Sequence, residues 1–247
     1  MSDFARYSRQ VILREVGVNG QAVLRDSSVL VIGLGGLGSV AALYLAGAGI
    51  GRLVLSDLDR VDRSNLQRQI LYRSADVGRA KLDAAADSLR ALNPECELEL
   101  QPGPLDDASL LAAVRAVDLV LDCSDNFITR FAVNAACVAA RKPLVSGAAI
   151  RFEGQLALFD TRRGGACYAC LYGESGEVQE TCEEAGVLGP VVGVIGSLQA
   201  LSAIKHLLGI GDDAGTLMIW DALKPAWRTL TINRDPNCRV CAASRAE

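Results

Sequence analysis

The 247-residue sequence predicts an α/β protein built on an open, doubly wound, mainly parallel sheet, with antiparallel strands added towards the C-terminus. Three features carry that prediction. Short apolar runs alternate with stretches of helical periodicity through the first 150 residues. A glycine-rich turn, Gly33-Leu34-Gly35-Gly36-Leu37-Gly38, joins the first such run to the first helix. Beyond residue 150 strand-like segments follow one another over short connections, the spacing of antiparallel neighbours.

The elements follow in order. Val29 to Ile32 is a short buried strand, and Ser39 to Ala48 is a helix of small residues able to pack closely. Arg52 to Ser56 is the second strand and runs into Asp57. A polar loop from Asp59 to Arg79 leads into a helix near Arg79 to Leu92, whose Leu82, Ala85, Leu89 and Leu92 share one face. Asn93-Pro94 ends it, and Glu97 to Gln101 alternates like a strand with one wet face. Asp106 to Ala116 and Phe127 to Ala140 are predicted helices, separated by the strand Asp118 to Asp122 and followed by a strand at Leu144 to Ser146. Later come a strand at Gln155 to Phe159, a helix from about Gly193 to Leu208, and strands at Thr216 to Trp220 and Trp227 to Ile232.

Composition removes several function classes. Half the residues are hydrophobic and 22% are charged, which is the balance of a folded chain and not of a disordered one. A formal charge of −4 with mixed signs and no basic run argues against nucleic-acid binding. The single histidine, His206, leaves no room for histidine-rich metal sites or carboxylate–histidine relays. Two uncharged stretches, Ser27 to Gly51 and Ala185 to Ile204, are long enough to span a bilayer, but glycines and Gly189-Pro190 interrupt them, so both are read as buried elements and no membrane is expected. The polar N-terminus carries no secretory signal, and the expected compartment is the cytoplasm.

A strand, Gly-x-Gly-x-x-Gly and a helix together form an anion site, because the glycines at 33, 35, 36 and 38 let a phosphate approach the helix N-terminus. Asp57, at the end of the second strand, stands where a carboxylate receives ribose hydroxyls. This Rossmann-like pair serves a dinucleotide as well as ATP. The Arg- and Gln-bearing segment Asp62 to Arg73, with Lys81 beyond it, brings cations that phosphoryl chemistry needs and hydride transfer does not, although each could be an ordinary solvated side chain. Asp125 follows the strand ending at Asp122, at the ligand-binding edge of such a sheet, where it could equally cap the next helix.

Cys167-x-x-Cys170 and Cys238-x-x-Cys241 are two knuckles that together supply four thiolates for a structural, closed Zn²⁺ site; a redox pair would occur once. Cys96, Cys123 and Cys137 fall in strand or helix patterns and are read as small buried hydrophobes. Cys182 lies in a polar, acidic segment, as either an incidental thiol or a nucleophile, and its neighbours Glu180, Glu183 and Glu184 would keep its pKa high.

Arg6-Tyr7-Ser8-Arg9-Gln10, the glycine turn, Ser64-Asn65-Leu66-Gln67-Arg68-Gln69, Asp122-Cys123-Ser124-Asp125-Asn126, Ser146-Gly147-Ala148-Ala149 and the two knuckles occur in the order seen in the MoeB/ThiF family. The chain therefore resembles the ubiquitin-activating-enzyme-like adenylyltransferases, the molybdopterin branch more than the thiamine branch. The resemblance implies one domain over residues 1–247, with a nucleotide-binding half (1–150) and a half for carrier docking and zinc (151–247). It implies that Gly36 and Asp57 contact ATP, that Asn65, Arg68 and Lys81 grip its phosphates, that Asp125 positions Mg²⁺, and that Ser64, Leu66, Gln67 and Asn126 complete the nucleotide site. Arg9 is implied to reach the ATP of a partner subunit in a homodimer. The implied substrate is the C-terminal Gly-Gly of a small ubiquitin-like sulfur-carrier protein, with sulfur supplied by a separate donor such as a cysteine desulfurase or sulfurtransferase. Cys182 matches a loop cysteine that forms covalent intermediates in some members.

Overall fold

Why the first strands are apolar without interruption becomes clear from the eight-stranded sheet they join. In the computed structural model, which describes residues 5–173, 185–211, 213–224 and 226–242, the strands are β1 (Ser28–Ile32), β2 (Arg52–Ser56), β3 (Glu97–Gln101), β4 (Leu119–Asp122), β5 (Leu144–Ile150), β6 (Glu153–Phe159), β7 (Thr216–Asp221) and β8 (Ala226–Thr231). Their spatial order is β3-β2-β1-β4-β5-β6-β7-β8. Pairs from β3 through β5 are parallel, and those from β5 to β8 antiparallel.

Alternation within the strands sends side chains to two cores, so polar residues are excluded from both faces. Val29 and Val31 of β1 and Leu119 and Leu121 of β4 join one core, with helices α3 (Gly36–Ala48), α4 (Lys81–Leu92) and α8 (Gly189–Leu207). Leu30, Ile32 and Val120 join the other, with α5 (Asp107–Arg115) and α6 (Phe127–Ala140). Two short N-terminal helices, α1 (Ser8–Val11) and α2 (Gly17–Asp26), and α7 (Tyr168–Tyr172) complete the elements named here.

The structure differs from the sequence reading at boundaries. Helix α3 begins at Gly36, so part of the glycine fingerprint is helical. β5 runs on to Ile150 and pairs with β6 in a hairpin turned at Arg151, which adopts φ +53°. Helix α8 starts at Gly189 with Pro190 in its first turn, where proline's missing N–H costs nothing. Helices α1 and α2 are additions to the predicted elements; α2 carries Gly17 and Gly20 and buries only Gln21 and Leu24. Among the described residues α8 is the one helix long and apolar enough to cross a membrane; here it lies against α3, β5 and β6.

The winding reverses between β1 and β4: the chain moves outward through β2 and β3, then returns to place β4 on the other side of β1. Ligands of open α/β sheets bind outside the carboxyl ends of strands at such a reversal.

Close approach of α8 to α3 gives a test of this packing. A Cβ at Gly196 would sit 2.5 Å from the Leu37 carbonyl oxygen, whereas one at Gly193 would meet nothing within 4 Å. Gly196→Ala is expected to cost about 1–3 kcal/mol, lowering Tm by roughly 3–10 °C. Gly193→Ala on the same helix should raise stability by about 0.5–1 kcal/mol through helix propensity. Thermal melts of the two variants should move in opposite directions.

Candidate active site

A cleft of about 550 Å³ opens at the reversal point. Its floor is the glycine turn. Gly33 has φ +86°, a left-handed conformation that favours glycine, and a Cβ there would lie 3.0 Å from the Cys123 carbonyl of the neighbouring strand end. Gly38 is more constrained: a Cβ would fall 1.9 Å from the Gly33 carbonyl oxygen, so only glycine lets α3 start so close to β1. No side chain caps α3 at Gly35, and its first N–H groups are directed at the cleft as a ready anion site.

Asp57 holds this turn from β2. Its carboxylate accepts the Leu34 N–H at 2.6 Å and the Asp59 N–H at 2.8 Å. On the other side of the turn the Tyr72 hydroxyl, fully inside, donates to the Leu34 carbonyl at 2.9 Å. Burial, followed by the charges of Asp57, Asp59 and Asp76, pushes the Tyr72 phenol well above its usual pKa, so it remains a neutral donor.

Lys81 is not the solvated helix residue its position allows. It is 3% exposed, its ammonium lies 2.7 Å from Asp59 and 4.0 Å from Asp57, and it lines the cleft. Asn65 and Arg68 line the same wall. The short 3₁₀ turn Arg63–Asn65 is organised by Asp62, which accepts the backbone N–H of Ser64 at 2.8 Å and its hydroxyl at 2.6 Å; those bonds hold the Asp62 carboxyl below its usual pKa. Ser64 and Gln67 are exposed and Leu66 packs on the core, so these three support the wall without lining it.

Opposite them stand Asp125 and Asn126, on the turn from β4 into α6. Asp125 is not the cap: Asn126 caps α6 by accepting the Thr129 N–H at 2.9 Å, and Asp125 stays exposed on the cleft. Arg9, on α1, is exposed and does not line this cleft. Cys182 lies outside the described residues.

Two cleft residues, Gln69 and Arg130, were not singled out by sequence reasoning. Gln69 is buried and lines the cleft, and its Oε1 accepts no hydrogen bond from the protein. Its signal, a second glutamine beside Arg68, was available. Arg130 also lines the cleft; although burial works against its charge, the carboxylate of Asp122 and the phenols of Tyr168 and Tyr172 hold its pKa above the ordinary value. Asp122 itself is fully buried and accepts the Ser124 N–H, the Ser124 hydroxyl and the Ser146 hydroxyl at 3.0, 2.6 and 3.2 Å.

Apart from the cleft, the two knuckles meet. The Sγ atoms of Cys167, Cys170, Cys238 and Cys241 all lie within 4.8 Å of one another, with neighbouring separations of 3.8, 3.7 and 3.5 Å. Bonds of about 2.3 Å from four sulfurs to one tetrahedral ion give an S···S edge of about 3.8 Å, so this set could hold a metal. Asn134 of α6 fixes the first knuckle, donating to Cys167 Sγ at 3.7 Å and accepting the Tyr168 N–H at 2.9 Å. Cys96, Cys123 and Cys137 are free and buried, as the sequence predicted, and burial raises their thiol pKa.

The sequence pattern of the ThiF family matches residues 7–240. The chain is 49% identical over 245 residues to the Escherichia coli sulfur carrier protein ThiS adenylyltransferase, covering 99% of this chain and 98% of that one. It is 50% identical over 240 residues to the Escherichia coli molybdopterin-synthase adenylyltransferase, covering 97% and 96%. Among solved structures, that of Escherichia coli MccB with ATP superposes with a TM-score of 0.83 at 24% identity, over 96% of this chain and 74% of that chain, a likeness of fold.

Proposed function

The chain belongs to the ThiF family, and from that premise we propose that it adenylylates the C-terminal glycine of a small ubiquitin-like sulfur-carrier protein with ATP, releasing pyrophosphate. The observation that carries this reading is the cleft itself: an uncapped helix N-terminus faces Asn65, Arg68, Lys81 and Asp125 across a space of nucleotide size. The carrier belongs to the ThiS or the molybdopterin-synthase class, the two that relatives of nearly equal identity serve by name.

In this reading Gly35 and Gly36, at the start of α3, receive phosphate on backbone N–H groups, while the Gly33 N–H stays bound to the Ser56 carbonyl at 2.8 Å and Asp57, tied to the turn, orients the ribose. The carrier's carboxylate oxygen forms a bond to the α-phosphorus, the bond to the bridging oxygen breaks, and pyrophosphate leaves with that electron pair. Arg68 and Lys81 meet the charge that develops on the phosphate oxygens, with Lys81 already desolvated and held in place. Asp125, a hard oxygen donor free of capping duty, would hold Mg²⁺, whose charge offsets that of the phosphates. Arg9 completes the site of the partner subunit in a homodimer. The four thiolates, soft donors at tetrahedral spacing, would hold Zn²⁺ as a closed structural site. Sulfur for the acyl-adenylate comes from a separate donor.

ATP–pyrophosphate exchange measured with a carrier of each class tests the reading. Exchange that requires the carrier's terminal glycine is expected; exchange with neither carrier would overturn it. Asp125→Ala should lower exchange at least about 100-fold while the melting temperature holds, because the residue is exposed and caps nothing.

Arg9→Ala and Arg68→Ala should each be inactive alone. Mixed dimers formed by subunit exchange should regain activity, since one composite site then has both arginines; no recovery would reject the cross-subunit role.

Removing Cys241 as Cys241→Ser takes away one of four sulfurs. Structural zinc binding is worth about 10 kcal/mol against a typical domain stability of about 5–15 kcal/mol, so metal content and Tm should both collapse. Cys182→Ser should retain metal and pyrophosphate exchange, because the carboxylate of the carrier, not this thiol, attacks ATP. Metal analysis beside a thermal melt separates the two variants.

A further inference from the structure

Arg130 occupies an unfavourable place for a cation. It lies near the start of α6, where the helix presents its own positive end, and it is partly withdrawn from water. Helix stabilisation does not account for it. Its hydrogen bonds do: one guanidinium nitrogen, Nη2, donates to the Ser124 carbonyl at 2.6 Å and to the Gly147 carbonyl at 3.2 Å. The Ser124 carbonyl belongs to the same planar peptide unit as the Asp125 N–H, so holding that oxygen fixes the chain direction entering Asp125.

The rest of the turn is pinned independently. The Ser124 N–H and hydroxyl are bound by the buried Asp122 carboxylate, the Cys123 N–H donates to the Ile32 carbonyl at 2.9 Å, and Asn126 is fixed as the cap. Gln199, fully buried on α8, donates to the Asp122 carbonyl at 2.8 Å. Asp122 and Arg130 thus grip Ser124 from its amide and carbonyl sides, with Gly147 of β5 as the anchor. Asp125 emerges from this grip, exposed on the cleft.

We infer that Arg130 is a positioning residue, which aims the Asp125 carboxylate at metal-bound triphosphate by clamping the Ser124 peptide to β5. The inference rests on the adenylylation reading and deepens it. Binding of a non-hydrolysable ATP analogue, measured by calorimetry with Mg²⁺ and again with EDTA, tests it. Arg130→Met should lose about tenfold in affinity with Mg²⁺, equal to about 1.4 kcal/mol, and stay within twofold of wild type in EDTA. Arg130→Lys keeps the cation beside Asp122 and should fold; with a single ammonium in place of the fork it should show a smaller loss, again confined to Mg²⁺.

A double-mutant cycle separates acting through Asp125 from touching the ligand. On an Asp125→Asn background, Arg130→Met should cause no further loss with Mg²⁺. Equal losses with Mg²⁺ and EDTA, or additive losses in the double variant, would overturn the inference by making Arg130 a direct ligand contact or a purely structural residue. Should wild type bind the analogue with no Mg²⁺ dependence, the inference also falls. Failure of the adenylylation reading shows itself separately, as wild-type protein without carrier-dependent pyrophosphate exchange.

Discussion

The approach of Gly38 to Gly33 is the constraint on which the site depends. With a virtual Cβ at 1.9 Å from a carbonyl oxygen, no other residue lets α3 begin directly above the end of β1. That closeness points the uncapped N-terminus of α3 into the reversal between β1 and β4. Asp57 and Tyr72 then lock the turn through Leu34, one accepting its N–H and the other donating to its carbonyl. The turn is therefore rigid before any ligand arrives, which is what electrostatic stabilisation of a transition state requires.

Helix α6 relates the two chemical centres of the molecule. Asn126, Arg130, Asn134 and Val138 recur at intervals of four and so lie along one face. Asn126 caps the helix at the cleft and Arg130 clamps the turn that bears Asp125. Asn134 holds the backbone and sulfur of the first knuckle, and Val138 packs into the cysteine cluster. Aromatic contacts reinforce the same path, with Tyr168 edge-on to Phe131 at 5.5 Å between ring centroids. The cysteine cluster thus packs against the helix that follows the turn bearing Asp125.

Charge inside this fold is consistently matched. Lys81 is paired with Asp57 and Asp59, and Arg130 stands near Asp122, whose oxygens are satisfied by Ser124 and Ser146. Burying an ion without such partners costs several kcal/mol, so these groups hold fixed positions and change little when a ligand displaces water.

The sequence by itself determined the sheet and many of the residues that line the cleft. Short apolar runs such as Val29 to Ile32, bounded by turn residues, read as strands covered on both faces, and the glycine spacing and each Cys-x-x-Cys knuckle encode their local chemistry within a few residues. Boundaries such as those of β5 and α8 escaped it, because tertiary partners extended them: β6 zips along β5 to Ile150, and a glycine at 196 lets α8 nestle against α3. Only the tertiary structure decided that Lys81 is buried, that Asn126 and not Asp125 caps α6, and that Arg130, Asn134 and Gln199 act on residues between 6 and 77 positions away. A lone arginine, asparagine or glutamine carries no local pattern, since its partner is chosen by which strand ends and helices the fold brings within hydrogen-bond reach.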